Sequence, residues 1–240
     1  MHYRASDYQS LLGALWSFIG PASTFIILYF IFVDRLGQQI PYFPLKLLTG
    51  ITLTAFFKNI VQVTIQAVMQ CQNLALTSTM PAEIPLFAAL TIPCLKFAVE
   101  VLLSIGIAVY LGLFHWLALA LILPAAVFLW MLATGFGLIL GTLNALARDV
   151  GEIWDALSPM LIFLTPVFYS LDMLSPWARK SLYWLNPLSS FVLSFQHALV
   201  GGDIPYFWST TPLIGFTYGF LFFAFGLLCF RRLQKIIVEK

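Results

Sequence analysis

Forty-seven consecutive residues, from Val101 to Ala147, contain no Asp, Glu, Lys or Arg. A helix needs about 20 apolar residues to cross a hydrocarbon core of about 30 Å. The run is therefore too long for one crossing and suits two with a turn between them, which "GLFHW" (112–116) would supply. Composition agrees: 61% of the chain is hydrophobic, 9% is charged, and mean hydropathy is +0.94. Soluble domains carry about 25% charged residues, so the chain is read as an integral membrane protein.

The other charges punctuate the chain in the same way. They divide it into spans at roughly 11–33, 43–70, 86–112, 117–143, 156–171 and 208–230. The first is too long in its apolar stretch for a cleaved signal peptide, and no A-x-A site follows it. Six spans place both termini on one side. With that side cytoplasmic, Arg4, Arg148, Arg231, Arg232, Lys235 and Lys240 lie inside, against Arg35, Lys46, Arg179 and Lys180 outside. The bias favours cytoplasmic termini.

The fifth span departs from the pattern. Only sixteen uncharged residues separate Asp155 from Asp172, and Pro159 and Pro166 interrupt them. Their helical length of roughly 24 Å falls short of the core. After it, 172–207 mixes charges with aromatics. Trp177, Tyr183 and Trp184 suit an interface, and Pro176 and Pro187 suit the first turns of short helices. Leu188, Phe191, Val192 and Phe195 recur at i, i+3, i+4, i+7. The expected fold is all-α, with six transmembrane helices and two short re-entrant helices between the fifth and sixth. Backbone of that kind is tolerated at membrane depth only when protein covers it or it lines a wet cavity. The hairpin, including Asp172, Asn186 and Pro187, is a candidate extracytoplasmic gate.

Charges within spans are costly and tend to face the protein interior. Lys58, Gln62, Gln66 and Gln70 make a polar stripe on the second span. Lys96 and Glu100 lie one turn apart on the third, roughly 16–22 Å from its start. Either Lys58, Lys96 and Glu100 pair to fix packing, or they meet an aqueous path or a substrate. An aromatic stripe, Phe18, Phe25, Tyr29 and Phe32, shares one face of the first span, and Phe163, Phe168 and Tyr169 add rings to the fifth. Such rings either face lipid or stack on sugar C–H surfaces. Gly137-xxx-Gly141 and Gly215-xxx-Gly219 would let the fourth and sixth spans pack closely.

Several chemistries find no support. No lysine follows a glycine, so no phosphate loop for ATP is present. A net charge of +2 without a basic aromatic run gives no reason to expect nucleic acid. Cys71, Cys94 and Cys229 are too dispersed to suggest a metal site or a disulfide framework. An acid–base site would draw on His115, His197, Asp172 or Asp203, which nothing in the spacing pairs. That rival, an intramembrane enzyme, remains distinct from a transporter. A secondary transporter is disfavoured because 1–120 and 121–240 show no convincing repeat.

Four segments carry a resemblance: "LGALWSFIGP" (12–21), "GTLNALARDVGEIWDALSPMLIFLTPVFYSLDML" (141–174), "WLNPLSSFVLSFQHALV" (184–200) and "FRRLQK" (230–235). Together they resemble the permease subunit of type-2 ABC transporters that export polysaccharides of O-antigen and capsule type. The resemblance covers essentially the whole chain and is most specific over 141–200, in the order LN, RD, TPVFY, LNP. It implies the type-2 ABC exporter fold, with 1–240 as one permease domain and no nucleotide-binding domain. It also implies that ATP and Mg are handled by a separate ATPase, that two permeases pair, and that the lipid-linked polysaccharide passes between them. The setting would be the bacterial inner membrane. The implied coupling surface comprises Arg4, Asp7, the 71–85 turn with Pro81 and Glu83, and Arg148, Asp149 and Glu152. With such a cargo, the aromatic stripe is the candidate sugar-facing path: Phe18, Phe25, Tyr29, Phe32, Phe163 and Tyr169. The same fold exporting a drug, teichoic acid or lipid is the close alternative.

Overall fold

The computed structural model describes residues 13–36, 40–75, 83–200 and 210–238. Among them all regular structure is helical: α1 (Gly13–Leu36), α2 (Phe43–Ala75), α3 (Glu83–Tyr110), α4 (Leu119–Leu146), α5 (Asp149–Leu157), α6 (Leu161–Leu164), α7 (Pro176–Leu185), α8 (Pro187–Leu199) and α9 (Thr210–Val238). Four stretches within this set are long and apolar enough to cross a membrane: Phe43–Cys71, Glu83–Tyr110, Trp116–Leu146 and Thr210–Arg232. α1 adds a shorter apolar stretch, Ile19–Asp34. The protein is polytopic.

The break inside the uncharged run falls where expected. Gly112 adopts φ +70°, which a side chain would resist. Beside it Leu113 N–H donates to Ala108 O at 2.9 Å, the bond of a left-handed helix stop. A 3-10 turn, Trp116–Ala118, then leads into α4.

α2 is the most enclosed of the long helices and α3 the least. Leu47, Leu53, Ile60, Val61 and Val68 of α2 are completely buried. So is Thr64, and Thr49 and Thr54 are nearly so. A buried hydroxyl needs an acceptor. Each donates to its own helix: Thr49 to Leu45 O at 2.7 Å, Thr54 to Gly50 O at 2.9 Å and Thr64 to Ile60 O at 2.7 Å.

Glycines set the packing of the core, though not with the partners their spacing suggests. A Cβ on Gly137 would meet Thr64, and one on Gly141 would meet Val68. Both glycines therefore seat α4 on α2, correcting the expectation that they bring the fourth and sixth spans together. The α4–α9 contact uses Gly135, Gly219 and Gly226: a Cβ on Gly135 would lie 2.4 Å from the Phe222 backbone, and one on Gly226 would lie 2.4 Å from Gly135 O. Gly215 instead packs on Ser190 and Phe191 of α8. The pairs 64–137 and 68–141, like 128–219 and 135–226, advance in step, so α2, α4 and α9 run parallel.

The fifth segment is shorter than expected. α5 passes through a 3-10 turn, Ser158–Met160, into α6, which ends at Leu164 instead of reaching 171. Pro166 is the cause: it pushes the preceding Thr165 to φ −112°, ψ 144°, outside the helical region. After this break, α7 and α8 are the two short helices expected from Pro176 and Pro187. Ser175 caps α7, accepting from Ala178 N–H at 3.4 Å, and Asn186 caps α8, accepting from Leu188 N–H at 3.1 Å. The α8 face is as its period suggests: Leu188, Phe191, Val192 and Phe195 are all buried.

The glycine contacts make a direct prediction. Gly135→Ala should lower stability by at least about 1–3 kcal/mol through overpacking against α9. Gly106→Ala, where a Cβ meets nothing within 4 Å, should change it by less than about 1 kcal/mol. Thermal unfolding in detergent measures both. Equal effects would mean that α4 and α9 do not meet at Gly135.

Candidate functional site

A cleft of about 960 Å³ lies between α1, α2, α3 and the Ser158–Ile162 stretch. The whole α2 stripe, Lys58, Gln62, Gln66 and Gln70, lines it, and so do Lys96 and Glu100 of α3. Spacings of four residues keep the stripe on one side of α2. The α1 wall is small and polar by contrast: Gly20, Pro21 and Thr24. Among the described residues, the ion pairs within 4.0 Å are Arg179–Asp172 and Arg231–Glu83. Lys58, Lys96 and Glu100 thus share a cleft without closing on one another. Gln62 Nε2 donates to Asp155 Oδ2 at 3.3 Å, tying the stripe to α5.

The aromatic stripe lies elsewhere. Phe25, Tyr29 and Phe32 are half-buried against an apolar core of Leu28, Ile40, Phe43, Leu47, Ile51 and Val167. Phe25 stacks on Tyr29 with centroids 5.8 Å apart, and Phe32 stacks on Phe168 at 4.8 Å. Phe168 in turn meets Phe163 and Tyr169 edge-on at 5.8 and 5.3 Å. The rings expected on two spans therefore form two contact groups, Phe25–Tyr29 and Phe32–Phe168–Phe163–Tyr169, the second of which joins α1 to the break. Phe163 remains 59% exposed. Phe18 falls on α1, and its side chain lies outside the described residues.

The break itself is held by two amides. Asn186 Nδ2 donates to Leu164 O at 2.8 Å and to Thr165 Oγ1 at 3.1 Å, while Asn186 Oδ1 caps α8. Gln196, one face further along α8, donates to Lys46 O at 3.0 Å and to Pro166 O at 3.5 Å. The TP and LNP motifs are thus parts of one hydrogen-bonded unit. Asn186 was legible as a candidate from LNP. Gln196 was not, because its partner Lys46 lies 150 residues away and no local spacing reports it.

A second cleft, of about 460 Å³, adjoins the same unit and includes Lys46, Tyr169, Asp172, Arg179, Gln196 and His197. Asp172 is paired with Arg179 at 3.2 Å, and Arg179 Nε donates to Leu171 O at 3.1 Å. His197 and Asp172 thus share a cleft, whereas His115 is not part of it. Asp203 lies outside the described residues. Trp177 and Trp184 are exposed, as interfacial rings would be, and Trp184 O accepts from Tyr218 Oη at 2.9 Å. Tyr183 falls on α7, with its side chain outside the described residues. Pro187 occupies the first turn of α8.

A family model described as ABC-2 type transporter matches residues 8–200. The chain belongs to that family. Among its relatives is an O-antigen export system permease protein RfbA from Myxococcus xanthus, 28% identical over 193 residues, covering 78% of this chain and 72% of the relative. Two proteins of the same name from Klebsiella pneumoniae are each 26% identical over 233 residues, covering 96% of this chain and 88% of the relative. The matched region includes both clefts and the clamped break, apart from Thr211.

The residues implied as a coupling surface are only partly described. Arg4, Asp7 and Pro81 lie outside the described residues. Glu83 opens α3 and approaches Arg231 of α9 at 3.8 Å. Arg148, Asp149 and Glu152 are exposed around the start of α5, where the two carboxylates suit the helix N-terminus. Asn144, which spacing did not single out, joins this corner to α4 by accepting from Gly151 N–H at 2.8 Å. Trp154 anchors α5 against Phe57 and Phe136.

Removing the clamps should loosen the break alone. Asn186→Ala strips Leu164 O of its partner, Gln196→Leu strips Lys46 O and Pro166 O of theirs, and each should cost about 1–3 kcal/mol locally. Amide hydrogen exchange should rise over 161–175 and stay unchanged in α4 and α9. Unchanged exchange at 161–175 would mean that the clamps do not hold it.

Proposed function

We propose that this chain is the membrane-spanning subunit of an ATP-driven exporter that moves a lipid-linked polysaccharide of O-antigen or capsule type from the cytoplasm. The carrying observation is that relatives named as O-antigen export permeases align over 88% of their own length. On this reading the whole chain is one permease domain of six crossings: α1, α2, α3, α4, the short α5–α6 segment and α9. The α7–α8 hairpin re-enters the outer half of the membrane. Both termini are cytoplasmic and the membrane is the bacterial inner one.

The chain itself performs no chemistry. A separate ATPase binds ATP and Mg and docks on the end of the bundle bearing Glu83, Arg148, Asp149 and Glu152, and Arg4, Asp7 and Pro81 are assigned to the same role from the sequence alone. Two copies of the chain pair, and the cargo passes between them. Closure of the ATPases tilts α5, which Trp154 packs into the core. That motion reaches the break at Thr165–Pro166, where the α7–α8 hairpin acts as the outer gate with Asp172, Trp177, Tyr183, Trp184, Asn186 and Pro187. The sugar path is assigned to Phe25, Tyr29, Phe32, Phe163 and Tyr169, with Phe18 assigned to it from the sequence alone. Stacking on C–H faces tolerates register changes, which suits a polymer in motion.

Two measurements test this. Affinity purification in mild detergent should recover a stoichiometric ATPase whose hydrolysis and polymer export are both lost on mutation of its phosphate-loop lysine. Purification of the chain alone, from cells in which that ATPase is expressed and stable, would refute the assignment. Within the path, the Phe25→Ala, Tyr29→Ala double variant should reduce polymer export several-fold at normal expression. Unchanged export would remove these two rings from the lining.

A further inference from the structure

The last membrane-crossing helix ends in two adjacent cations that the fold hardly uses. The apolar stretch of α9, Thr210–Arg232, has 23 residues. Its helical length of roughly 34 Å is close to that of a hydrocarbon core of about 30 Å. Arg231 and Arg232 therefore stand at one edge of the core, and α9 continues past them to Val238. Both are exposed. Arg231 approaches Glu83 of α3 at 3.8 Å and still leaves 65% of its side chain open. Arg232 joins no ion pair within 4.0 Å among the described residues. Asp149 and Glu152, acidic residues at the same end, belong to α5, which packs on α2 and α4.

An independent observation is the apolar surface that leads to them. Leu221, Phe225 and Leu228 are each more than half exposed, and Arg232 continues their spacing of four, three and four. That spacing places all four on one face of α9. The face is turned away from Gly219 and Gly226, which hold α9 against α4. It is thus apolar through the span and cationic at its end. Arg231 lies about 100° round the helix from Arg232. It faces α3, whose Leu86 shares a buried cluster with Phe230. At the interface the two arginines bound a sector that opens onto the stripe.

We infer that the foot of α9 binds an anionic phospholipid of the surrounding bilayer, with its phosphate on Arg232 beside Arg231 and an acyl chain along Leu228, Phe225 and Leu221. Charge complementarity names the headgroup. Basic residues at the membrane surface attract anionic lipids, and a guanidinium fork matches phosphate oxygens. A zwitterionic headgroup brings its own ammonium, which repels the same arginines. The continuous stripe names the rest of the molecule, because an acidic protein surface would meet the arginines alone. Glu83 offsets part of the charge on Arg231 and ties the foot of α9 to the start of α3. The lipid lies against the α4–α9 pair, clear of both clefts, whose linings include neither arginine. The site requires neither the proposed cargo nor the proposed gate.

The test uses the full chain in mild non-ionic detergent, titrated with dioleoyl phosphatidylglycerol, dioleoyl phosphatidylcholine and glycerophosphoglycerol, with bound molecules counted by native mass spectrometry. Phosphatidylglycerol should bind saturably and at least about fivefold more tightly than the other two. Arg232→Gln should weaken it about fivefold, and the Arg231→Gln, Arg232→Gln double variant by about tenfold or more. Arg232→Lys should retain most of the binding and Glu83→Gln should tighten it, which guards against loss through misfolding. Lys180→Gln, an exposed cation on α7, should leave it unchanged. Equal binding of the two phospholipids would overturn the anionic class, and equal binding of glycerophosphoglycerol would overturn the lipid. Equal losses in Lys180→Gln and Arg232→Gln would replace the site with diffuse positive charge. Unchanged phosphatidylglycerol binding in the double variant, with loss of a co-purifying ATPase, would assign the arginines to an acidic protein surface instead.

Discussion

A helix broken among apolar neighbours must find new partners for the backbone groups it releases, and the architecture around residues 155–200 follows from that need. Where water is scarce, an unsatisfied carbonyl costs several kcal/mol. Pro166 ends α6 and frees the carbonyls of Leu164 and its successors. Asn186 takes the first, Val167 N–H turns back on Thr165 O at 2.7 Å, and Gln196 takes Pro166 O. One side-chain donor comes from α8 and the other from its N-cap, so α8 has to lie beside the break. Its apolar residues, buried almost all round, keep it there.

That arrangement gives the protein two mechanical regions. In one, glycine lets the backbones of α4 and α9 touch, with α2 seated on the other side of α4. Where α4 meets α9 no side chain is left to rearrange, and on α2 only the short side chains of Thr64 and Val68 seat on Gly137 and Gly141, so the three parallel helices behave as a frame. In the other, α5 and α6 are joined by a 3-10 turn and closed by a proline break, with side-chain hydrogen bonds where helix bonds would be. Hydrogen bonds between side chains and released carbonyls can exchange one at a time, while backbone packing between glycines cannot. On the proposed function, motion belongs to the second region. Gln196 is its junction with the frame, since the same amide reaches Lys46 O on α2.

Sequence alone was informative wherever the physics is local. Charges bounded the four long apolar spans to within a few residues, Gly112 marked the turn, and the period of Leu188, Phe191, Val192 and Phe195 identified a buried face. It failed where the answer depends on which element comes alongside. Pro159 and Pro166 announced a disturbed fifth segment, yet its end at Leu164 depends on α8 being present to receive the carbonyls. The glycines at 137 and 141 have the spacing of a helix contact, but spacing cannot name the partner, which is α2. The chemistry of Lys58, Lys96 and Glu100 was legible as a choice between pairing and exposure to a path. Their actual relation, three charges around one cleft without an ion pair, needed three dimensions.

The polar and aromatic features are separated along α2 and not around it. Leu47 and Ile51 precede Lys58 by whole turns on nearly the same face, and Ile51 borders both the ring-bearing core and the cleft. α1 makes the same division along its length. Gly20, Pro21 and Thr24 leave space at the cleft, while Phe25, Tyr29 and Phe32 fill the region nearer the break. On the proposed function, a cargo moving toward the clamp would therefore pass the polar cleft before Phe25, Tyr29 and Phe32. That order follows from the sequence of α1 after Phe18, where Gly20, Pro21 and Thr24 precede these rings, and the helix axis converts it into a direction.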